Sequence, residues 1–258
     1  TFATGAKVLH IDIDRAEINK NVSTALHITG DARVVLELLL ARASQKNHEQ
    51  WMTQARSMME DYLNDELFEP RKILRSMAAI APDMTVATDV GQHQMWTAQH
   101  FPFHRVRQLI TSGGLGTMGF GMGAAIGACV ATGKRTVLFT GDGSFGMNLN
   151  ELATAVTYNV PLVIVLLNNG VLGMVHQWQK FFYNENYSAT ILDSAPDWAK
   201  LADAYDINYM RIDTMEQCNE TLAEVLTSKE GWLIDFRIDA NADVYPMVPA
   251  GKGLDDIL

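Results

Sequence analysis

Apolar residues in this chain fall into short unbroken runs as well as helical stripes. The runs carry more information. Thr136-Val-Leu-Phe-Thr140 and Pro161-Leu-Val-Ile-Val-Leu-Leu167 are largely β-branched or aliphatic and lack period-two alternation, which suits parallel strands buried on both faces. Between them, Asn148 to Asn159 carries apolar residues at 149, 152, 153 and 156, a helical spacing. The unit reads strand, helix, strand, and a right-handed crossover sets both strand carboxyl ends on one sheet edge. Further strands are predicted at Lys7 to Asp14, Ala25 to Ile28, Thr85 to Val90, Tyr209 to Ile212 and Trp232 to Ile238. Helices are predicted at Pro70 to Ala79, Asp197 to Tyr205 and Met215 to Ser228, and over residues 33–69 with a break at Ser44 to Glu49. In that last stretch Val34, Val35, Leu38 and Leu39 make one apolar face; Trp51, Ala55, Met58, Met59 and Tyr62 make another.

The pattern predicts an α/β fold, a doubly wound parallel sheet with an N-terminal remnant of a second α/β domain. Residues 1–32 are too few to fold alone and 33–69 form a helical connector. Residues 70–240 hold the main domain, and 241–258 are an irregular tail with Pro246 and Pro249.

Composition narrows the function classes. The chain has 258 residues, 48% hydrophobic, enough for one large core. Thirty acidic against 20 basic residues give a net charge of -10, which argues against nucleic acid or an anionic membrane as partner. The acidic cluster Glu60, Asp61, Asp65, Glu66 and Glu69 reads as a solvated face. Cys129 and Cys218 show no paired or metal-ligand spacing, as expected of reduced packing residues in a cytoplasmic protein. Neither a signal-peptide pattern nor a spanning apolar run is visible. The chain reads as starting partway through a longer polypeptide.

Candidate chemistry sits at the two strand ends. Gly141-Asp142-Gly143 follows the first run and Asn168-Asn169 the second. The Asp142 carboxylate and an Asn169 amide oxygen are hard ligands suited to Mg²⁺, which is commonly shared with substrate phosphates. Gly141 and Gly143 permit close backbone approach, and a helix opening near Ser144 to Asn148 would aim amide groups at an anion. Together these describe a diphosphate held through Mg²⁺.

Gly141-Asp142-Gly143, 24 further residues, and then Asn168-Asn169 resembles the motif of thiamine-diphosphate enzymes. Gly173-Met-Val-His-Gln-Trp-Gln179 is similar to the acetohydroxyacid (acetolactate) synthase large subunit. The likeness covers essentially the whole chain but only the C-terminal half of that family's polypeptide.

The resemblance implies decarboxylation of pyruvate and carboligation to a second 2-keto acid, pyruvate or 2-ketobutyrate, in branched-chain amino-acid biosynthesis. It implies thiamine diphosphate, Mg²⁺ and a structural FAD. Metal ligands would be Asp142, Asn169 and the Val171 carbonyl. Thiamine diphosphate would meet Val90, Gly91, Gln92, His93, Gly116, Met118, Gly141, Asp142, Gly143, Ser144, Asn169, Val171, Gly173 and Met174, with Met118 wedged between its rings. FAD would meet Asp12, Ile13, Asp31, Ala32, Gln94 and Met95. Met174, Val175 and Trp178 would face substrate, with Trp178 setting the choice of second 2-keto acid. Gly123 departs from the family, which usually has Pro there. The resemblance also implies a homodimer or tetramer, a small regulatory subunit, and an activating Glu on an N-terminal half not matched here. No catalytic acid or base is evident in this chain, so the chain alone is expected to turn over little.

Two other readings stand beside this one. Gly114, Gly116 and Gly119 satisfy Gly-x-Gly-x-x-Gly, and Asp142 ends the next strand as in an NAD-type oxidoreductase. Against it, Gly119, Gly123 and Gly127 recur every four residues, as for one helix face packed tightly on a neighbour. The other reading is a non-catalytic cofactor-binding module.

Overall fold

A computed structural model describes residues 5–61, 70–253 and 256–258, with side chains at 59–61 excepted. Tyr62 and three of the acidic residues, 65, 66 and 69, lie outside the described residues, as do the side chains of Met59, Glu60 and Asp61. Two compact units are present: Thr1–Glu66 with Tyr245–Leu258, and Leu67–Val244.

In the first unit, β1 (Leu9–Asp12) and β2 (Leu26–Thr29) pair in parallel. Helix α1 (Ala32–Leu40) follows, capped by the Asp31 carboxylate, which accepts from the Arg33 and Val34 amides. Helix α2 (Glu49–Asp61) comes after the expected polar break. The predicted apolar face on α1 stays exposed at Val34, Leu38 and Leu39.

The second unit runs α3 (Pro70–Ile80), β3 (Thr85–Thr88), α4 (Gln92–His100), β4 (Leu109–Ile110), α5 (Phe120–Thr132), β5 (Thr136–Gly141) and α6 (Asp142–Gly146). It continues with α7 (Leu152–Thr157), β6 (Leu162–Asn168), α8 (Gly173–Phe182), α9 (Trp198–Ala204), β7 (Asn208–Ile212), α10 (Met215–Thr227) and β8 (Trp232–Arg237). The sheet order is β4-β3-β5-β6-β8-β7, and every pair is parallel.

Alternate residues of each central strand enter different cores. Val137, Phe139, Val163, Val165 and Phe236 pack with Ile73 and Met77 of α3 and Leu222 and Val225 of α10. Leu138, Ile164, Leu166 and Leu233 pack with Met122 and Ala125 of α5 and Trp198 of α9. Burial on both faces is why these strands read as unbroken apolar runs. The sheet is doubly wound, and its parallel strands deliver Asp89, Asp142 and Asn169 to one edge.

One local expectation is refined and one fails. The segment predicted as a helix over 148–159 is a 3₁₀ turn at Leu149–Glu151 running directly into α7, with α6 before it. Asn148, with φ -141°, caps the 3₁₀ turn and separates it from α6. The second concerns the glycines of α5. A Cβ on Gly123 or Gly127 would meet nothing within 4 Å, so that face is open. The tightly packed glycine is Gly121, whose Cβ would lie 2.7 Å from Leu138 Cδ1 and 2.9 Å from the Asp89 amide.

Candidate functional site

The register of β5 against β6 pairs Gly141 with Leu167, so Asp142 and Asn169 leave adjacent strands at nearly the same height. Asp142 is buried and reaches across to the second loop. Its Oδ1 accepts from the Gly143 amide at 2.9 Å and its Oδ2 from the Gly170 amide at 2.7 Å. Burial pushes the carboxyl up to about 6, opposed by those amide bonds. Each oxygen keeps a second lone pair for a cation.

Asn169 Oδ1 accepts from the Val171 amide at 3.2 Å, and its Nδ2 donates to Gln92 Oε1 at 3.3 Å. Val171 forms an isolated antiparallel bridge with Ile191, flanked by bonds from Leu172 N to Thr190 O and from Leu192 N to Gly170 O. Extended backbone sends a residue's N–H and C=O to the same side. The Val171 carbonyl therefore leaves on the edge whose N–H meets Asn169.

The third wall comes from the end of β3. Gly91 (φ 150°) turns the chain into α4, and a Cβ there would sit 2.8 Å from His93 Cε1. A Cβ on Gly141 would likewise sit 2.9 Å from His93 Nδ1. His93 is buried, burial pushes its imidazole down to about 3, and its Nε2 has no hydrogen-bond partner. It lines the same crevice as Val90, Gln92, Met118, Ser144 and Met174. Gly141, Gly143, Asn169 and Gly173 line it too. Ser144 Oγ donates to the Val90 carbonyl at 2.8 Å, tying α6 to β3. Gly116 (φ 69°) lies outside that wall, its nearest neighbour to a Cβ being Val90 Cγ1 at 3.9 Å.

A second cavity, of about 540 Å³, shares Met174 and Val175 with the crevice and is lined further by Trp178 and Tyr183. Trp178 is 42% and Val175 49% exposed, so the α8 stripe faces this opening rather than the core. Of the expected FAD contacts, Asp12, Ile13, Asp31 and Ala32 follow β1 and β2 in the first unit. Gln94 and Met95 belong to the second. Gln94 Nε2 donates to Thr111 Oγ1 at 2.8 Å, and Met95 packs on the core.

The dinucleotide reading fails on topology. Its acid should end the strand beside the one preceding the glycine loop, but β3 lies between β4 and β5. Asp142 is also committed to two backbone amides.

Three residues that sequence reasoning passed over shape the site. Asp89, buried, accepts from the Gly119 amide at 2.8 Å and anchors the glycine loop. Asn148 Nδ2 donates to the Gly119 carbonyl at 3.1 Å. Gln177 donates from Nε2 to the Val244 carbonyl at 3.0 Å, and its Oε1 accepts from Val244 N at 2.9 Å and Gln92 Nε2 at 2.8 Å. An aspartate directly after a strand was the one available signal for the first.

The donor set fits a diphosphate with a divalent cation. Among the described residues no three His, Cys, Asp or Glu side chains gather as a self-sufficient cage, so a cation beside Asp142 and Asn169 would need further oxygens from a ligand. The glycine-lined wall suits an anion approaching backbone. No helix among the described residues is long and apolar enough to cross a membrane.

Comparison with known proteins agrees. Residues 89–236 match the model of the thiamine pyrophosphate enzyme C-terminal TPP-binding domain. The chain is 42% identical to the acetolactate synthase isozyme 2 large subunit of Escherichia coli, over 100% of this chain and 48% of that protein. It is 40% identical to an acetolactate synthase of Arthrospira platensis, over 100% of the chain and 46% of the relative. It is 39% identical to the acetolactate synthase large subunit of Haemophilus influenzae, again over 100% of the chain and 47% of the relative. The chain thus spans about half the length of the curated relatives it matches.

Proposed function

Since the chain belongs to the thiamine pyrophosphate enzymes and contains their C-terminal cofactor-binding domain, we propose that it is the cofactor-holding half of an acetolactate synthase large subunit. The reaction is decarboxylation of pyruvate and carboligation to a second 2-keto acid. The observation that carries this reading is the convergence of Asp142 and Asn169 at adjacent strand ends, bridged by the Asp142 to Gly170 amide bond.

Thiamine diphosphate, when bound, supplies the nucleophilic carbon and the electron sink. The chain's own residues do the rest. Asp142, Asn169 and the Val171 carbonyl would hold Mg²⁺ beside the diphosphate. His93, kept neutral by burial, would stand against the diphosphate as part of the crevice wall. Val90, Gly91, Gly141, Gly143 and Ser144 form the wall behind it, while Gly173 and Met174 at the start of α8 face the ring end. Met118, which lines the crevice, would hold the cofactor in place, and Gly116 would let the loop before α5 turn toward it. Val175 and Trp178 line the adjoining cavity where the second 2-keto acid binds. The activating acid, FAD through Asp12, Ile13, Asp31, Ala32, Gln94 and Met95, the dimeric or tetrameric state and a small regulatory subunit belong to the same proposal. So does a cytoplasmic location.

Calorimetric titration with thiamine diphosphate, with and without Mg²⁺, tests the site. Uptake that requires Mg²⁺ and disappears in Asp142→Ala is expected. Equal uptake without the cation, or undiminished uptake by Asp142→Ala, would overturn the reading.

A further inference from the structure

Three side-chain amides run in series from Asn169 to the main chain at 242–244. Asn169 Nδ2 donates to Gln92 Oε1 at 3.3 Å. Gln92 Nε2 donates to Gln177 Oε1 at 2.8 Å and to the Ala242 carbonyl at 3.0 Å. Gln177 Nε2 donates to the Val244 carbonyl at 3.0 Å, while its Oε1 accepts the Val244 amide at 2.9 Å. Gln92 and Gln177 are buried, at 4% and 2% exposure, so an unmade bond there is costly.

The series has a single polarity. Oxygen and nitrogen of an amide are told apart only by their partners, and here backbone groups of unambiguous type stand at both ends. Turning Gln177 over would set its oxygen against the Val244 carbonyl and its nitrogen against the Val244 N–H. Turning Gln92 would oppose its oxygen to the Gln177 oxygen and the Ala242 carbonyl. Turning Asn169 would oppose its oxygen to Gln92 Oε1 and its nitrogen to the Val171 N–H. Each reversal replaces attractions with repulsions in a low-dielectric setting.

Two further features hold the series in place. Lys180 Nζ pairs with Asp243 Oδ2 at 2.5 Å, fastening residues 242–244 to α8 a second time. Gly173 opens the path, since a Cβ there would lie 2.0 Å from Gln92 Oε1 and 2.8 Å from Asn169 Nδ2.

We propose that Gln92 and Gln177 are positioning residues whose amides transmit the polarity of the Val244 peptide to Asn169, so that its oxygen and not its nitrogen faces the cation. Cation binding at Asn169 is thereby coupled to the seating of residues 242–244. This rests on the Mg²⁺ diphosphate reading above.

The test combines Gln177→Met, which keeps the bulk of the chain and removes both polar atoms, with Asn169→Asp, in which either terminal atom is an oxygen. Mn²⁺ affinity is measured by electron spin resonance with thiamine diphosphate present, and the Asn169 side-chain amide is followed by ¹⁵N resonance without metal. Melting curves confirm folding. Gln177→Met is expected to weaken Mn²⁺ by about 10–100-fold, the range for partners that orient a ligand, and to shift the Asn169 amide signal. In the Asn169→Asp background the same change is expected to weaken Mn²⁺ by less than about twofold, since orientation no longer matters. An unmoved Asn169 signal, or equal weakening in both backgrounds, overturns the relay. A wild-type chain that takes up no Mn²⁺ overturns the proposed function and the cation coupling with it, while the Asn169 amide signal then decides the hydrogen-bond series by itself.

Discussion

Asp142 Oδ2 accepts the Gly170 amide at 2.7 Å, across 28 residues of chain. That bond joins the ends of β5 and β6 and stands the carboxylate beside Asn169. The carboxylate proposed as a cation ligand thus also clasps the end of β5 to the loop that carries Asn169 and Val171.

The pH dependence of cation binding follows from this placement. Burial raises the Asp142 carboxyl to about 6, and a cation must displace its proton. Mg²⁺ affinity is expected to be level above pH 6 and to fall about tenfold per unit below it, one proton being released per ion. Titrations between pH 5 and 8 check this; equal affinity at both ends would refute it.

His93 acts on stability in the same direction, weakening the fold as pH falls. Its folded value is depressed to about 3 against 6.5, so the unfolded chain binds a proton that the folded one refuses. Stability therefore falls as pH drops from 6.5 towards 3, by about 1.4 kcal/mol per unit once below 6.5. His100, lowered to about 4 by burial and by Arg71 and Arg75, adds in the same sense. Asp142 opposes both below pH 6. Denaturant titrations should show His93→Gln losing roughly 2 kcal/mol less than wild type between pH 6.5 and 4.5.

Gly121 and Gly123 are expected to respond in opposite directions. Gly121→Ala drives a methyl into Leu138 and the Asp89 backbone, at about 1–3 kcal/mol. Gly123→Ala and Gly127→Ala meet nothing within 4 Å and should stabilise α5 by about 0.5–1 kcal/mol. Thermal melts of the three variants separate the cases.

Gly173→Ala should act on the site rather than on the core. A Cβ 2.0 Å from Gln92 Oε1 forces that side chain away and strands the Asn169 amide. A loss of about 1–3 kcal/mol in stability is expected, together with weaker thiamine diphosphate uptake in calorimetry. Unchanged uptake would show that the Gln92 contact is dispensable.

Trp178→Leu removes a large, half-exposed wall of the second cavity. In the assembled enzyme the ratio of acetohydroxybutyrate to acetolactate should shift towards acetolactate. One methylene in such a pocket is worth about 1–3 kcal/mol, so a shift of tenfold or more is within reach. Product analysis with pyruvate and 2-ketobutyrate together reads it out, and an unaltered ratio would remove Trp178 from specificity.

The strand ends were legible because the signal is local. Thr136 to Thr140 and Leu162 to Leu167 are apolar on both faces, and such runs stop where the chain leaves the sheet. Gly141-Asp-Gly and Asn168-Asn169 therefore announced the crevice edge. The glycines of α5 were misread for a related reason. A spacing of four places Gly123 and Gly127 on one face of α5, with Gly119 as its left-handed cap, but does not say whether anything covers that face. Coverage depends on Leu138 and Asp89, which meet Gly121 instead. Likewise nothing in the local pattern around Asn148 shows that its side chain reaches the Gly119 carbonyl.

By itself the sequence determined the two-faced parallel strands, their order along the chain, the oxygen-donor residues at their ends and the resemblance those residues carry. Each of these depends on side-chain type and short-range periodicity. Tertiary structure alone decided that β3 lies between β4 and β5, removing the dinucleotide alternative, and that Gln177 speaks for Val244. It also decided that Asn169 Oδ1 meets the Val171 amide while its Nδ2 meets Gln92. Gln92 and Gln177 stand 85 residues apart, and Gln177 and Val244 67. A hydrogen bond over such separations is set by strand register and helix docking, because only the packed core brings a particular donor within 3 Å of a particular acceptor.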